Sequence, residues 1–427
     1  MMGCVEGDRV RVTRGKLVVE GVLLPTEARG TVVVKLDSGY NAGFDAKKIV
    51  LKKLPGKRTA LEKFESKKFI PAEGLEELAL VAAGGTIASR LDYATGGAKM
   101  VLTPGELFAA VPELEGVASF KVSRPFTLAS EDETPREWVT LAREVGKALN
   151  AGARGAIVAH GTDTLGYASA ALSFMLSAGK PVAMVGAQRS PDRASFDGAL
   201  NLLCGARYAL GPFGEVAAVM HATPSDDYCF AHRGTKVRKM HSTRRDAFKS
   251  VNAEPLARVY PDGRIEKINE SAKAREDGEC RVRAVFEDKT GLLKAYPGAP
   301  PEQLDWFVDR GYKGVLVEAY ALGHLPTQTL DPKKSWLKAM ERAKEEGVVV
   351  AFATQCLYGR VNPFVYANLR KMSERGAVYC SDLLPETAFV KLGWLLGGLK
   401  DADEVRAGLL KDYAGEFNPR LTEADFY

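Results

Sequence analysis

Apolar and polar positions change rhythm twice along the chain. Between residues 8 and 51, short runs such as RVRV and TVVVKL combine β-branched residues with partial alternation, the mark of half-buried strands. Strands are predicted over 9–13, 16–24, 30–36 and 48–51. Turn chemistry separates them at Arg14-Gly15, at 25–30 and at Asp37-Ser38-Gly39. That pattern predicts a small antiparallel, SH3-like β-barrel over residues 1–52.

From residue 78 the rhythm becomes α/β. Short uncharged strands are predicted over 78–83, 155–159, 182–185 and 216–220, with apolar-rich helices over 165–177 and 196–210. Residues 259–268 read as a hairpin around Pro261-Asp262-Gly263. The last third repeats the alternation, with strands over 314–319 and 348–353 and helices over 303–309, 334–346, 368–375 and 386–396. Parallel sheets covered on both faces are the expected result. The boundaries expected are a barrel at 1–52, a basic linker at 53–76, and two α/β domains at 77–275 and 286–427.

Composition narrows the class. A chain of 427 residues with 46% apolar and 26% charged residues folds around cores, and at roughly 150 residues per domain it holds two or three of them. No apolar run reaches the ~20 residues of a membrane helix. Seven charges among the first 25 residues leave no room for a signal peptide, so a soluble, cytoplasmic protein is expected. Six scattered cysteines without a CxxC pair point to reduced thiols rather than a disulfide framework. The five histidines form no HExxH, and no metal site is expected. No GxxxxGK[ST], GxGxxG or GxSxG occurs, which disfavours ATP, NAD and a serine elbow on this chain.

Net charge is +5, yet residues 1–70 alone carry +7. Lys52, Lys53, Lys57, Arg58, Lys63, Lys67 and Lys68 supply most of the excess. They read either as a solvated linker or as a footprint for a polyanion such as RNA.

Candidate chemistry sits at two predicted strand ends, in Gly84-Gly85-Thr86-Ile87-Ala88-Ser89 and His160-Gly161-Thr162-Asp163-Thr164. Glycines let backbone approach a ligand, and each threonine then lies near a helix N-terminus, as a cap or as a nucleophile. A threonine nucleophile needs a base. Asp163 adjoins Thr162, and the basic segment Arg233, Lys236, Arg238, Lys239, Arg244, Arg245 would supply a lysine whose proton affinity is lowered by neighbouring cations. Composition does not say which lysine, and a solvated basic loop is the alternative.

LALVAAGGTIAS at 78–89 and IVAHGTDTL at 157–165 resemble the two signature sequences of the L-asparaginase family. The likeness extends through 184–202, AFKSVN at 247–252 and SDLLPETAFVKL at 381–392. A β-domain ahead of such a body resembles the GatD family of archaeal glutamyl-tRNA(Gln) amidotransferases, glutaminases that supply ammonia to a partner protein, GatE. The resemblance implies roles for named residues. Thr86 is the first catalytic threonine, Thr162 and Asp163 the second threonine and its aspartate, and Lys239, nine residues before Phe248, the lysine. Tyr93 falls in a loop where the family carries a tyrosine, and the surrounding 89–98 segment, with Gly96-Gly97, is the expected lid. Ser130 and Asp163 would hold the substrate's α-carboxylate and α-amino group. Glu131 departs from the family's usual Gln or Ser; it either meets the α-amino group or belongs to an exposed helix start before Thr134-Pro135.

The reaction implied is amide hydrolysis through a threonine acyl-enzyme, with no cofactor on this chain and with ATP and Mg used by the partner. Glutamine as substrate, tRNA(Gln) reached through the complex, a homodimer and a heterotetramer with the partner follow from the same resemblance. Two alternatives stand beside it: a stand-alone cytoplasmic L-asparaginase with an appended β-domain, and a non-catalytic RNA-docking scaffold.

Overall fold

A computed structural model describes residues 4–24, 26, 30–37, 41–59, 73–85, 87, 89–91, 98–100, 104–177, 179–191 and 196–423. Strands Arg9–Arg14, Leu17–Leu24, Thr31–Leu36, Asn41–Asp45 and Val50–Lys53 form one antiparallel sheet, ordered from Asn41–Asp45 through Thr31–Leu36, Leu17–Leu24 and Arg9–Arg14 to Val50–Lys53. Alternation does what the sequence implied. Val10 and Val12 turn inward with Val32, Val34 and Phe44, while Arg9 and Arg11 face outward and pair with Asp37 and Glu20. Of the basic run, Lys53 pairs with the buried Asp8 at 2.9 Å and the Arg58 guanidinium donates to the Glu6 carbonyl at 2.6 Å. Lys63, Lys67 and Lys68 lie outside the described residues.

The second sheet has eight strands among the described residues. Five run parallel in the order Val216–His221, Val182–Val185, Ala156–Ala159, Glu77–Ala82, Ser119–Ser123; Cys229–Arg233, Ala257–Val259 and Ile265–Lys267 extend it antiparallel from Val216–His221. Successive residues of the four inner parallel strands feed opposite cores, while the edge strand Ser119–Ser123 adds only Phe120 to one of them. Ala79, Val81, Val158 and Met184 pack on one side with helices Pro135–Asn150 and Leu165–Met175. Leu78, Leu80, Ile157 and Val185 pack on the other with helix Gly198–Leu210. Burial on both faces is why these strands read as unbroken apolar runs.

Helix Pro135–Asn150 begins in a capping box, with the Thr134 hydroxyl and the Glu137 carboxylate each satisfying a free backbone N–H. It buries Trp138, Leu141, Ala142, Val145 and Leu149, the stripe expected of one helical face. A third sheet, Thr290–Lys294, Gly314–Ala319, Val349–Thr354 and Ala377–Tyr379, is parallel in that order. Helix Pro385–Gly398 packs against Leu165–Met175, so the two α/β units share one core.

His232, on strand Cys229–Arg233, is fully buried, and its Nδ1 contacts the Ser250 hydroxyl at 2.8 Å. Burial pushes its pKa from 6.5 down to about 3. Between those values the unfolded chain binds a proton that the folded chain refuses, so stability falls as pH drops below about 6.5. At ~1.4 kcal/mol per pH unit, this one residue removes about 2 kcal/mol by pH 5. Urea unfolding of wild type and His232→Asn at pH 7.5 and 5 should show a smaller acid loss in the variant; equal losses would refute the assignment.

Candidate active site

Parallel sheets bind ligands beyond their carboxyl ends, where neighbouring strands send their connections in opposite directions. Strand Glu77–Ala82 leads to Ser119–Ser123 on one side, and Ala156–Ala159 leads to Val182–Val185 on the other. The crevice therefore opens between the two turns singled out in the sequence. They touch: a Cβ on Gly85 would run into the backbone of His160 and Gly161. Gly85 also has φ +76°, a conformation that strains residues with side chains. Gly85→Ala should lower kcat/KM for the amide substrate at least tenfold and destabilise the chain by ~1–3 kcal/mol. Thermal melts beside steady-state kinetics check this; wild-type values for both would show that the contact is dispensable.

Three predicted residues converge. Lys239 sits at the end of strand Val237–Lys239, paired in register with Phe248 of Phe248–Ser250. Its ammonium lies 2.8 Å from Thr162 Oγ1 and 2.8 Å from Asp163 Oδ1. Thr162 is 7% exposed, whereas the Asp163 side chain is 63% exposed, so the cluster is partly buried with one carboxylate reaching solvent. Nucleophile, nitrogen base and an anion orienting that base is the arrangement covalent amide hydrolysis requires.

Crowding by free cations, the sequence's reason for a reactive lysine, is not what the structure contains. Arg233 pairs with Glu215, Lys236 with Asp382, Arg238 with Glu386, Arg244 with Asp246 and Arg245 with Asp226. The basic segment is thus not a cluster of free cations, and between Arg233 and Arg245 only 241–244 are exposed. It is a scaffold of ion pairs with Lys239 at the end that meets Thr162 and Asp163.

Lys236 is the strongest of these anchors. Its ammonium is 2.5 Å from Asp382 Oδ2, with both side chains 1% exposed or less. Burial pulls the lysine below its ordinary pKa, and the Asp382 carboxylate opposes that fall. Asn252, at φ 57°, ties the same hairpin to the C-terminal unit through the Gly359 and Asp382 carbonyls.

Ser130 is buried in the turn Ser130–Asp132, against Gly161, and its carbonyl accepts from Thr164 Oγ1 at 2.9 Å. Glu131 is exposed and makes no hydrogen bond to any described residue. The carboxylate buried beside Ser130 is instead Glu133, hydrogen-bonded to His160. Sequence reasoning misses that pair, although the run of acids after Ser130 and the histidine before Gly161 both stand in the sequence. Thr86 and Tyr93 lie outside the described residues, as do Gly96 and Gly97 between strands Ser89–Leu91 and Ala98–Met100.

The fold and the site define a class. Residues 77–273 match the N-terminal asparaginase family and 289–409 the glutaminase/asparaginase C-terminal domain; 4–54 match the GatD N-terminal domain. The thermostable L-asparaginase from Thermococcus kodakarensis superposes with a TM-score of 0.72 at 26% identity, covering 81% of this chain and all of that one. L-asparaginase I from Vibrio cholerae gives 0.69 at 27% identity, with 81% of this chain and all of that one covered. Among relatives matched along nearly their whole length, the GatD protein of the Pyrococcus abyssi glutamyl-tRNA(Gln) amidotransferase is 46% identical over 99% of this chain and 96% of its own. Its Methanosarcina mazei counterpart is 41% identical over 97% and 98%. The chain belongs to the GatD family of glutamyl-tRNA(Gln) amidotransferases.

Proposed function

We propose that the chain is the glutaminase component of a tRNA-dependent amidotransferase, hydrolysing glutamine and passing ammonia to a partner that converts Glu-tRNA(Gln) to Gln-tRNA(Gln). The observation that carries the chemistry is the Lys239 nitrogen held between the Thr162 hydroxyl and the Asp163 carboxylate. As the free amine, Lys239 takes the threonine proton while Oγ1 attacks the carboxamide carbon. The C–N bond then breaks as Lys239 returns that proton to the leaving nitrogen, which departs as ammonia, and water cleaves the resulting ester to glutamate. Thr86, matched to the family's first threonine, serves the other half of the acyl transfer, and Ser130 and Asp163 hold the substrate's α-carboxylate and α-amino group.

The partner, GatE, would use ATP and Mg to activate the glutamyl group, since this sequence has no phosphate-binding loop. A homodimer would cover the exposed apolar run Phe364, Val365 and Tyr366 and assemble with the partner as a heterotetramer. Sedimentation should show at least a dimer; a fully active monomer would contradict that assembly. The mechanism is tested by acid-quenching the chain during glutamine turnover and mapping adducts by mass spectrometry. A glutamyl ester on the peptide holding Thr162 supports it, and an ester on Thr86 instead, or turnover without any ester, contradicts it.

A further inference from the structure

Glu133 and His160 belong to two different motifs, and folding brings them together at the floor of the crevice. We infer that they form a positioning pair, which locks the turn carrying Ser130 onto the turn carrying Thr162 and Asp163 through one shared proton. This rests on the reading that Ser130 and Thr162 serve the same substrate.

Both side chains are buried, with His160 at 0% and Glu133 at 1% exposure. His160 Nδ1 lies 2.7 Å from the Gly161 carbonyl oxygen. A carbonyl oxygen only accepts, so Nδ1 carries a proton. On the other side, Nε2 faces Glu133 Oε2 at 2.9 Å, a contact that requires one proton between the two atoms. The second carboxyl oxygen, Oε1, is buried without a hydrogen-bond partner among the described residues. Most buried polar atoms find a partner, so this unpaired oxygen calls for an explanation. Glu133 directs its carboxyl contact to His160.

The pair closes a three-point junction. Thr164 Oγ1 donates to the Ser130 carbonyl at 2.9 Å. Gly161 has no side chain, and a Cβ there would stand 2.5 Å from Ser130 Oγ. The third point is the Glu133–His160 bond. The group proposed to hold substrate and the group proposed to attack it are therefore set relative to one another through Glu133. Misplacement by ~1 Å is enough to cost ~100-fold in rate.

The test compares Glu133→Gln and Glu133→Leu in the full chain, using kcat and KM for glutamine and ¹⁵N-histidine NMR. A carboxamide N–H can donate to Nε2, so Glu133→Gln should stay within about threefold of wild type in both parameters. Leucine leaves Nε2 without a partner, and KM should rise about tenfold or more while kcat falls roughly 10- to 100-fold. The His160 ring should be protonated at Nδ1 in wild type and in Glu133→Gln. Wild-type kinetics in Glu133→Leu would overturn the inference. So would a loss confined to kcat, which reports only fewer folded molecules, or a ring protonated at Nε2 alone. Should Glu133→Leu fail to fold, Glu133→Gln and the ring spectrum still decide. A wild-type chain inert toward glutamine would defeat the proposed function instead, leaving the NMR result to judge the pair.

Discussion

Lys239→Ala should lower kcat for glutamine by about a thousandfold, within the range of a positioned acid–base group and equivalent to ~4 kcal/mol of barrier. The lysine touches both the Thr162 hydroxyl and the Asp163 carboxylate, so its removal takes away the proposed proton acceptor and leaves the anion unpaired. Thr162→Ala should cost a similar factor. The double variant should be little worse than either single one, because the residues act as a unit. Stability should change by only ~1 kcal/mol or less, since Lys239 and Asp163 reach solvent rather than the packed core. Rapid-quench measurement of ammonia release, with thermal melts alongside, decides the matter. A variant keeping near-native turnover would remove that residue from the mechanism.

Stability responds most strongly three residues upstream. Lys236→Ala should destabilise the chain by about 3–5 kcal/mol, because it abandons the buried Asp382 carboxylate. Asp382 Oδ1 already has no hydrogen-bond partner among the described residues, and Oδ2 would keep only the backbone N–H of Asn418. Replacing both partners by apolar residues, Lys236→Met with Asp382→Leu, should recover a large part of the loss, since the desolvation cost disappears with the charges. Urea unfolding of the three forms measures this. A single variant within ~1 kcal/mol of wild type would show that water or neighbouring groups solvate the pair.

The architecture is legible where one physical signal dominates. Uncharged runs such as 156–159 and 182–185 announce strands buried on both faces, and the Gly84-Gly85 and His160–Thr164 turns announce where they end. Helix Pro135–Asn150 reads from sequence only as a helix start, because its outward face is heavily charged and its apolar stripe is spaced out among those charges. Strand Asn41–Asp45 and helix Ala402–Leu409 are short and weakly patterned, and tertiary pairing rather than propensity defines them. At the site, the resemblance to the family singles out Thr162, Asp163 and Lys239, which the structure joins. The partners that neutralise the basic segment are illegible for another reason. Asp382 is 146 residues from Lys236, and only the packing of the two α/β units makes them neighbours. Glu133 is hidden inside a run of acids from which charge alone picks no member.

The central claim is that this chain releases ammonia for an acceptor held by another protein. Its most direct test is glutamate released per minute by the purified chain alone, and then with GatE, ATP, Mg and Glu-tRNA(Gln) added. Glutamine hydrolysis should be weak in isolation, rise on assembly with the charged tRNA, and match the Gln-tRNA(Gln) formed. Equal hydrolysis with and without the partner and tRNA, or a strong preference for asparagine by the isolated chain, would contradict the account.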